Sequence, residues 1–189
     1  MDIEITTTGD GHGLDGCRNL DIPEVIDLNP VHSYSPAEDG LPPQRDITVD
    51  SGAGASVADP SQYPECVVQE SAGSKRGQKF MAANGTLLPN LGQITPEFIV
   101  ENGDIGKVTF QAAKVAKPLL AVSAINARGN PVWFDGVNSY ILPASAVELP
   151  KVREAIQNMG KKIQLHMEQG TFRLKNWAKP TTPFRGQGW

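Results

Sequence analysis

The chain has little that would indicate a metal centre, a disulfide framework or a membrane span. Its 189 residues include two cysteines, Cys17 and Cys66, which lie far apart and form no Cys-x-x-Cys pair. Their spacing fits neither a zinc site nor a disulfide-rich scaffold, so a reducing compartment is the default expectation. No apolar run approaches the roughly 20 residues that a bilayer-spanning helix requires. We therefore expect no metal and no membrane association.

A surplus of basic residues and an export signal are lacking as well. The 17 Lys and Arg residues face 21 Asp and Glu residues, and the net charge of −4 argues against a nucleic acid held on a broad basic surface. The N-terminal sequence MDIEITTTGDGHG has no basic region followed by an apolar core, so we expect no signal peptide. The sequence predicts an intracellular, cytoplasmic protein, or a piece of a soluble polyprotein, that binds no nucleic acid.

The composition predicts one domain with irregular flanks. Residues 1–45 are rich in Gly, Pro, Asp and Ser with only brief apolar patches, so we expect a flexible N-terminal segment there. Residues 46–179 are predicted to form the folded domain, and residues 180–189 a flexible tail. The 19 glycines, 15 prolines and 6% aromatic residues favour many short strands over long helices.

Apolar alternation and turn residues predict a mainly β domain with one or two short helices, an all-β fold class. The predicted strands are DITVD (46–50), ECVVQE (65–70), QKFMAA (78–83), TLLPNLG (86–92), EFIV (97–100), KVTFQAAKV (107–115), PVWF (131–134) and NSYIL (138–142), followed by a hairpin formed by 163–167 and 172–174. Asn84-Gly85 predicts a type I′ hairpin turn, which needs a positive φ at both central residues.

One short helix is predicted to begin at Pro118 and to end near Gly129, because Leu119, Val122 and Ile125 fall on one helical face. A second is predicted at 149–160. No alternation of strands and longer helices supports a parallel doubly wound sheet.

Histidines and large aromatic residues carry no specific signal of a ligand. His12, His32 and His166 lack metal-ligand spacing and are predicted to be surface residues. The side chains predicted to lie in the core, rather than to form a ligand platform, are those of Trp133, Phe134 and Trp177.

The stretch RDITVDSGAGASVADP, residues 45–60, holds the strongest functional signal. Three small residues, Gly52 to Gly54, follow an apolar run that ends in Asp50. A phosphate-binding loop would need a lysine after its glycines, and a dinucleotide fingerprint would need a helix to begin at its third glycine. The chain supplies neither, and an acid before the first glycine would repel a phosphate. The phosphate hypothesis is therefore rejected.

The same stretch has the parts of a catalytic aspartate turn. Asp50 would carry the chemistry, the Ser51 hydroxyl would bond across to a partner turn, and Gly52 would let the backbone bend close to the carboxylate. An apolar strand in front would hold the turn rigid. Asp-Ser-Gly is also a common turn tripeptide, so the residues alone leave both interpretations open.

Three spaced motifs together resemble the retropepsin-like aspartic proteases, particularly those of copia-type retrotransposons and related retroelements. They are DSGA at 50–53, MAANGTLLPNLGQ at 81–93, which is similar to the family's flap region, and KPLLAVSAINARGNPVWF at 117–134, which is similar to the block in its second half. The closing GTFRLKNW, residues 170–177, also resembles such sequences. The resemblance covers about residues 46–180.

This resemblance implies a closed β-barrel lobe with a flap hairpin over a cleft, acting on a polypeptide substrate without a cofactor or a metal. It implies Asp50, Ser51 and Gly52 as catalytic residues. The substrate-binding residues that it implies are Ala53, Gly54, Ala82, Ala83, Asn84, Gly85 and Thr86.

The mechanism of such enzymes needs two carboxylates that share one proton. This chain has a single Asp-Ser-Gly and is too short for two lobes, so the resemblance implies a homodimer with one Asp50 from each chain. The predicted function is that of an aspartic endopeptidase that processes a retroelement polyprotein.

The chain departs from the family pattern at two positions. Gly54 stands where retroviral members usually have an aspartate, and Ala121 ends an apolar-apolar motif that usually ends in glycine. An alternative is therefore a catalytically inactive or domesticated module of the same fold that binds peptides or self-associates. A third hypothesis is a β-rich interaction domain in which Asp-Ser-Gly is coincidental.

Overall fold

The computed structural model describes residues 6–8, 25–28, 44–100, 104–136, 138–160 and 162–174. The strands among them are β1 (Thr6–Thr8), β2 (Ile26–Asp27), β3 (Thr48–Asp50), β4 (Val57–Ala58), β5 (Lys79–Met81), β6 (Leu87–Pro89), β7 (Gly92–Ile94), β8 (Glu97–Ile99), β9 (Ile105–Val108), β10 (Phe110–Ala112), β11 (Leu119–Ala121), β12 (Val132–Trp133), β13 (Tyr140–Ile141), β14 (Leu165–Glu168) and β15 (Thr171–Leu174). The α-helices are α1 (Ala72–Lys75), α2 (Val122–Ala127) and α3 (Leu149–Asn158).

The mainly β fold class is confirmed, although the described residues contain three α-helices where one or two were predicted. The additional helix, α1, is a single turn held by a capping box. The Ser71 hydroxyl accepts the Ser74 N–H at 3.1 Å, and the Ser74 hydroxyl accepts the Ser71 N–H at 3.0 Å. The described strands form five separate sheets, and the closed barrel stays a prediction.

A five-stranded sheet in the order β3-β11-β4-β10-β7 forms the centre of the domain. Successive side chains of a strand point to opposite faces, and both faces of β11 are covered. Leu120 packs with Phe110 and Ile125 in one buried cluster, whereas Leu119 packs with Val57 and Phe80 in another. A strand buried on both faces has a continuous apolar sequence, as Leu119–Ala121 does.

The helix predicted to begin at Pro118 begins instead at Val122, so that prediction was wrong by one turn of helix. The first apolar residues of the segment form β11. A short apolar run has no periodicity that separates a buried strand from a helix, which explains the error. The predicted end of the helix is confirmed, since Gly129 follows it with a φ of +81°.

The predicted strand at 65–70 was also wrong. Within it only Gln69 pairs, through two backbone hydrogen bonds to Gln93 in β7. Val67 and Val68 are exposed, so their β-branched side chains find no sheet to pack against. A run of residues that favour strands does not form one where only a single position faces a partner.

Two smaller sheets include pieces of the first 45 residues. Strand β2 pairs with β9 in the sheet β2-β9-β8, and Ile26 is buried in the main core. Strand β1 pairs with β5 in the sheet β1-β5-β6. The sequence did not predict either strand. Of the predicted flexible segment, residues 6–8, 25–28 and 44–45 are described. Its other residues lie outside the described ranges, as do the predicted tail at 180–189, Cys17, His12 and His32.

Two short hairpins complete the described fold, β12 with β13 and β14 with β15, both as predicted. The prediction that Trp133 and Phe134 lie in the core was wrong, since their side chains are 44% and 58% exposed. The pair β12-β13 joins no other sheet that could cover them. His166 is exposed on β14, as expected, and Trp177 lies outside the described residues. In the part of the chain that the structure describes, no helix has the length and apolarity to cross a bilayer.

Candidate active site

Asp50 is the last residue of β3, and β3 runs parallel to β11. In this pairing Val49 lies beside Leu120, and Asp50 lies beside Ala121, the last residue of β11. The Thr48 N–H also donates to the Pro118 carbonyl at 3.0 Å. Carboxyl ends of parallel strands share one edge of a sheet, where functional groups of many proteins are placed. Asp50 therefore stands at the edge of a sheet whose neighbouring strand is fully buried.

The chain turns sharply after Asp50, and the turn is closed on the carboxylate itself. The Gly52 N–H donates to Oδ1 of Asp50 at 2.7 Å, a short hydrogen bond that spans two residues. Asp50 and Gly52 are half-buried, Ser51 is exposed and Ala53 is fully buried. The predicted close approach of Gly52 to the carboxylate is present, although neither Gly52 nor Gly54 has a positive φ.

Ser56 supports this turn from behind and was not among the residues predicted from sequence. Its side chain is fully buried, and its hydroxyl accepts the backbone N–H of Ala121 at 3.2 Å. Its carbonyl accepts the Gln111 N–H at 2.9 Å. Ser56 thus connects the end of the turn to the strand beside Asp50. A serine directly before the apolar pair Val57-Ala58 is the one sequence signal that could have indicated a buried polar support.

We predict that Ser56→Ala lowers the free energy of unfolding by about 1–3 kcal/mol, because it leaves the buried N–H of Ala121 without an acceptor. Urea unfolding followed by far-UV circular dichroism measures the change. Ser61→Ala is the matched control, since Ser61 is exposed and its hydroxyl makes no hydrogen bond in the described structure. Equal stability of the two variants would contradict the proposed support of the turn by Ser56.

The hairpin predicted around Asn84-Gly85 is present as β5-β6, in which Met81 pairs with Leu87, and its role as a flap stays a prediction. The Ala82 N–H donates to the Thr86 carbonyl at 2.9 Å, and the Gly85 N–H donates to the Ala82 carbonyl at 2.8 Å. Residues 83–86 are exposed and Ala82 is half-buried. The tip therefore consists of small, mostly exposed residues on a paired base.

The tip is not the predicted type I′ turn, because only Gly85 has a positive φ, +82°. Its three-residue loop combines a turn with a left-handed glycine, the other common way to close a hairpin. Asn84 contributes through its side chain, whose oxygen accepts the Thr86 N–H at 3.0 Å. The two successive positive φ values occur instead at Gln169 and Gly170, between β14 and β15.

The C-terminal hairpin contacts the loop that follows Asp50. A Cβ built on Gly170 would lie 2.9 Å from the carbonyl oxygen of Gly54 and 3.0 Å from its Cα, so only glycine fits this approach. An open depression of about 460 Å³ lies on the same hairpin, lined by Glu168, Gln169 and Arg173. Gly54 was predicted to bind substrate, and the structure places it against β14-β15.

The two predicted parts of the site lie in different sheets. Asp50 ends a strand of the central sheet and the loop to Gly54 follows it, whereas the tip at 82–86 connects β5 and β6 of another sheet. No hydrogen bond joins the two groups in the described residues. Asp50 lines neither the depression on β14-β15 nor a second one near Gly129 and Arg153. The structure therefore unites the residues predicted to be catalytic with Gly54, and it leaves the hairpin tip separate from them.

The residues before β3 are held in place by an exposed ion pair and a buried ring. Arg45 makes a two-pronged pair with Glu65, and its guanidinium lies 5.2 Å from the centre of the Tyr63 ring. The hydrogen bond from Arg45 lowers the pKa of Glu65, and burial raises the pKa of Tyr63 and of Cys66. These contacts hold Arg45 three residues before β3 begins at Thr48.

No group of three or more His, Cys, Asp or Glu side chains in the described part of the chain is placed to hold a metal ion. Comparisons of the chain with known proteins found no matching family model, no similar curated protein and no similar solved structure. The assignment of a function therefore depends on the geometry around Asp50 and on the sequence motifs.

Proposed function

We propose that the chain is an aspartic endopeptidase of the retropepsin type, with a lobe that closes into a β-barrel and acts as a homodimer. The main support is the position of Asp50, which ends a strand beside buried β11 and has its carboxylate fixed by the Gly52 N–H at 2.7 Å. A carboxylate held at a turn, half-buried and braced by a backbone amide, is what general acid-base chemistry on a peptide requires.

The proposed reaction uses the Asp50 carboxyls of two chains, which share one proton because two like charges at close range cannot both ionise. The ionised one takes a proton from a water molecule as the water oxygen attacks the scissile carbonyl carbon. The protonated one donates to the carbonyl oxygen. As the C–N bond breaks, one carboxyl donates its proton to the leaving nitrogen. The other carboxylate takes a proton from a hydroxyl of the tetrahedral intermediate, so the pair again shares one proton. We expect activity at mildly acidic pH.

The supporting residues have defined parts in this proposal. The Gly52 N–H holds one Asp50 oxygen, which leaves the other oxygen available to the water. The exposed hydroxyl of Ser51 bonds across to the partner turn. Gly54 flanks the bound peptide, whereas Ala53, predicted to bind substrate, is fully buried and supports the turn from inside. The tip at 82–86, of which residues 83–86 are exposed, closes over the peptide. The proposed substrate is an extended polypeptide, in keeping with polyprotein processing in a retroelement.

A second candidate is a module of the same fold that binds peptides without cutting them. The observation that favours it is Gly54, which offers no side-chain acceptor for the substrate backbone where retroviral members of the family usually have an aspartate. Ala121, the second departure from the family pattern, is weaker support for this candidate. Its position beside Asp50 is fully buried and its N–H is bonded to Ser56, so the alanine is accommodated in the packed structure.

Peptide hydrolysis measured over a series of protein concentrations tests the proposed function. A library of fluorogenic peptides supplies the substrate, and sedimentation velocity reports the oligomeric state in the same buffer. We expect specific activity to rise with the fraction of dimer. A dimer that binds but does not cut any peptide favours the second candidate, and activity that is the same in a strict monomer contradicts the homodimer.

A further inference from the structure

The hairpin β5-β6 has a third strand on its outer side. Strand β1 pairs antiparallel with β5, with Thr6 opposite Met81, Thr7 opposite Phe80 and Thr8 opposite Lys79. The order of the sheet is β1-β5-β6, so the edge of β5 that faces away from β6 is covered by residues far away in the sequence. An uncovered strand edge presents unpaired N–H and C=O groups to any extended chain.

The ladder pattern identifies which backbone groups of β5 face this edge. Directly before β5, the Gln78 carbonyl accepts the Asn90 N–H, and directly after it, the Ala82 N–H donates to the Thr86 carbonyl. The even-numbered residues from 78 to 82 therefore direct their backbone groups towards β6. Bonded and non-bonded positions alternate in an antiparallel pair. Lys79 and Met81 therefore direct their N–H and C=O groups towards β1, where Thr8 and Thr6 lie opposite them.

Strand β5 is held independently of β1. Its central residue, Phe80, is buried with Val57, Val115 and Leu119, and its other edge is fully paired with β6. Loss of β1 would leave both attachments in place. The outer edge of β5 is therefore preformed, which lowers the entropic cost of binding an extended chain there.

The sequence around β5 and the sequence that contains β1 carry opposite net charges. Lys79 is exposed on β5, and Arg76 is exposed three residues before it, whereas Lys75 is already paired with Glu70 at 3.6 Å. The first ten residues of the chain, MDIEITTTGD, contain three acidic residues and no Lys or Arg. Such complementarity favours an acidic strand over a basic one at this edge.

We propose that the outer edge of β5 is a binding site for an extended acidic polypeptide strand, which the chain's own Thr6–Thr8 occupies until another strand displaces it. Addition of a strand to an exposed sheet edge is a common mode of peptide recognition. While Thr6–Thr8 occupies the edge, an external strand cannot bind there. The apparent affinity for an external strand is therefore the intrinsic affinity multiplied by the fraction of time during which the edge is free. This inference requires no catalysis and goes beyond the proposed peptidase activity.

The test compares Thr8→Pro with Thr7→Pro in the full chain. Proline at position 8 removes the N–H that points towards Lys79 of β5, so one hydrogen bond between β1 and β5 is lost. The N–H of Thr7 points away from β5, and an edge strand accepts proline at such a position. Both variants carry Asp50→Asn, so that cleavage cannot alter the probe. The probe is a fluorescent peptide that copies residues 1–10, and its anisotropy reports binding.

We expect the Thr8→Pro variant to bind the probe about fivefold or more tightly than the Thr7→Pro variant, as the loss of one ladder hydrogen bond implies. A probe in which lysines replace its three acids should bind more weakly. Equal affinity of the two variants, or no binding to either, would overturn the proposal. The outcome is separate from the peptidase activity, which is measured with Asp50 intact and could fail without affecting it.

Discussion

Asp50→Asn is expected to reduce peptide hydrolysis by at least about 100-fold, the lower end of what a positioned general base contributes. The loss should be larger than for an ordinary single substitution, because a homodimer loses both carboxylates at once. An amide can still accept the Gly52 N–H at the same position, so the turn should keep its geometry. Initial rates with a fluorogenic peptide measure the effect, and urea unfolding verifies that stability changes little.

Asp59→Asn is the matched control for this experiment. Its carboxylate accepts the Ser61 N–H at 2.9 Å, two residues on, so the local geometry resembles that of Asp50 and Gly52. Asp59 lies at the start of a short 3-10 turn, away from the end of β3. We expect this variant to keep its activity. Activity that survives Asp50→Asn, or that falls equally in both variants, would contradict the role of Asp50.

Phe80→Ala is expected to lower the free energy of unfolding by about 3–5 kcal/mol, the usual cost of emptying a buried phenylalanine site. Phe80 is 1% exposed and packs against Val57, Ala113 and Leu119. The same substitution should loosen the base of the β5-β6 hairpin, because Phe80 is the residue of β5 that is buried in the core. Chemical denaturation gives the first effect, and hydrogen exchange of the β5 and β6 amides gives the second.

Leu87→Ala provides the control, since Leu87 lies on the adjacent strand but is 48% exposed. We expect it to cost less than about 1 kcal/mol. The free energy of unfolding of most domains is only about 5–15 kcal/mol, so Phe80→Leu serves as a milder variant if the alanine variant does not fold. Similar costs for Phe80→Ala and Leu87→Ala would show that Phe80 does not anchor the hairpin.

The sequence predicted the elements that have a local signal. Alternating apolar residues predicted β3, β5 and β6. Gly85, with Asn84, predicted that β5 and β6 form a hairpin. The sequence could not separate β11 from a helix, because a strand buried on both faces has no alternation. The prediction that Trp133 is buried was wrong for a different reason. The exposure of a side chain depends on which sheets pack together and not on its hydrophobicity alone.

The candidate site was predicted only where its residues are adjacent in the chain. Asp50, Ser51 and Gly52 form one turn, and the bond from Gly52 to the carboxylate agrees with the motif. Ser56 could not be assigned, because its function depends on Ala121, 65 residues further along. The contact between Gly54 and Gly170 is equally long-range. The pairing of β1 with β5 had no sequence signal, since three consecutive threonines do not identify their partner strand.

The most direct test of the central claim mixes wild-type chain with the Asp50→Asn variant under conditions in which subunits exchange. If each active site needs one Asp50 from each chain, an equal mixture at fixed total concentration should have about one quarter of the wild-type activity, because only wild-type homodimers are active. A residual activity of about one half would mean that each chain acts alone, and it would contradict the proposed site shared by two chains.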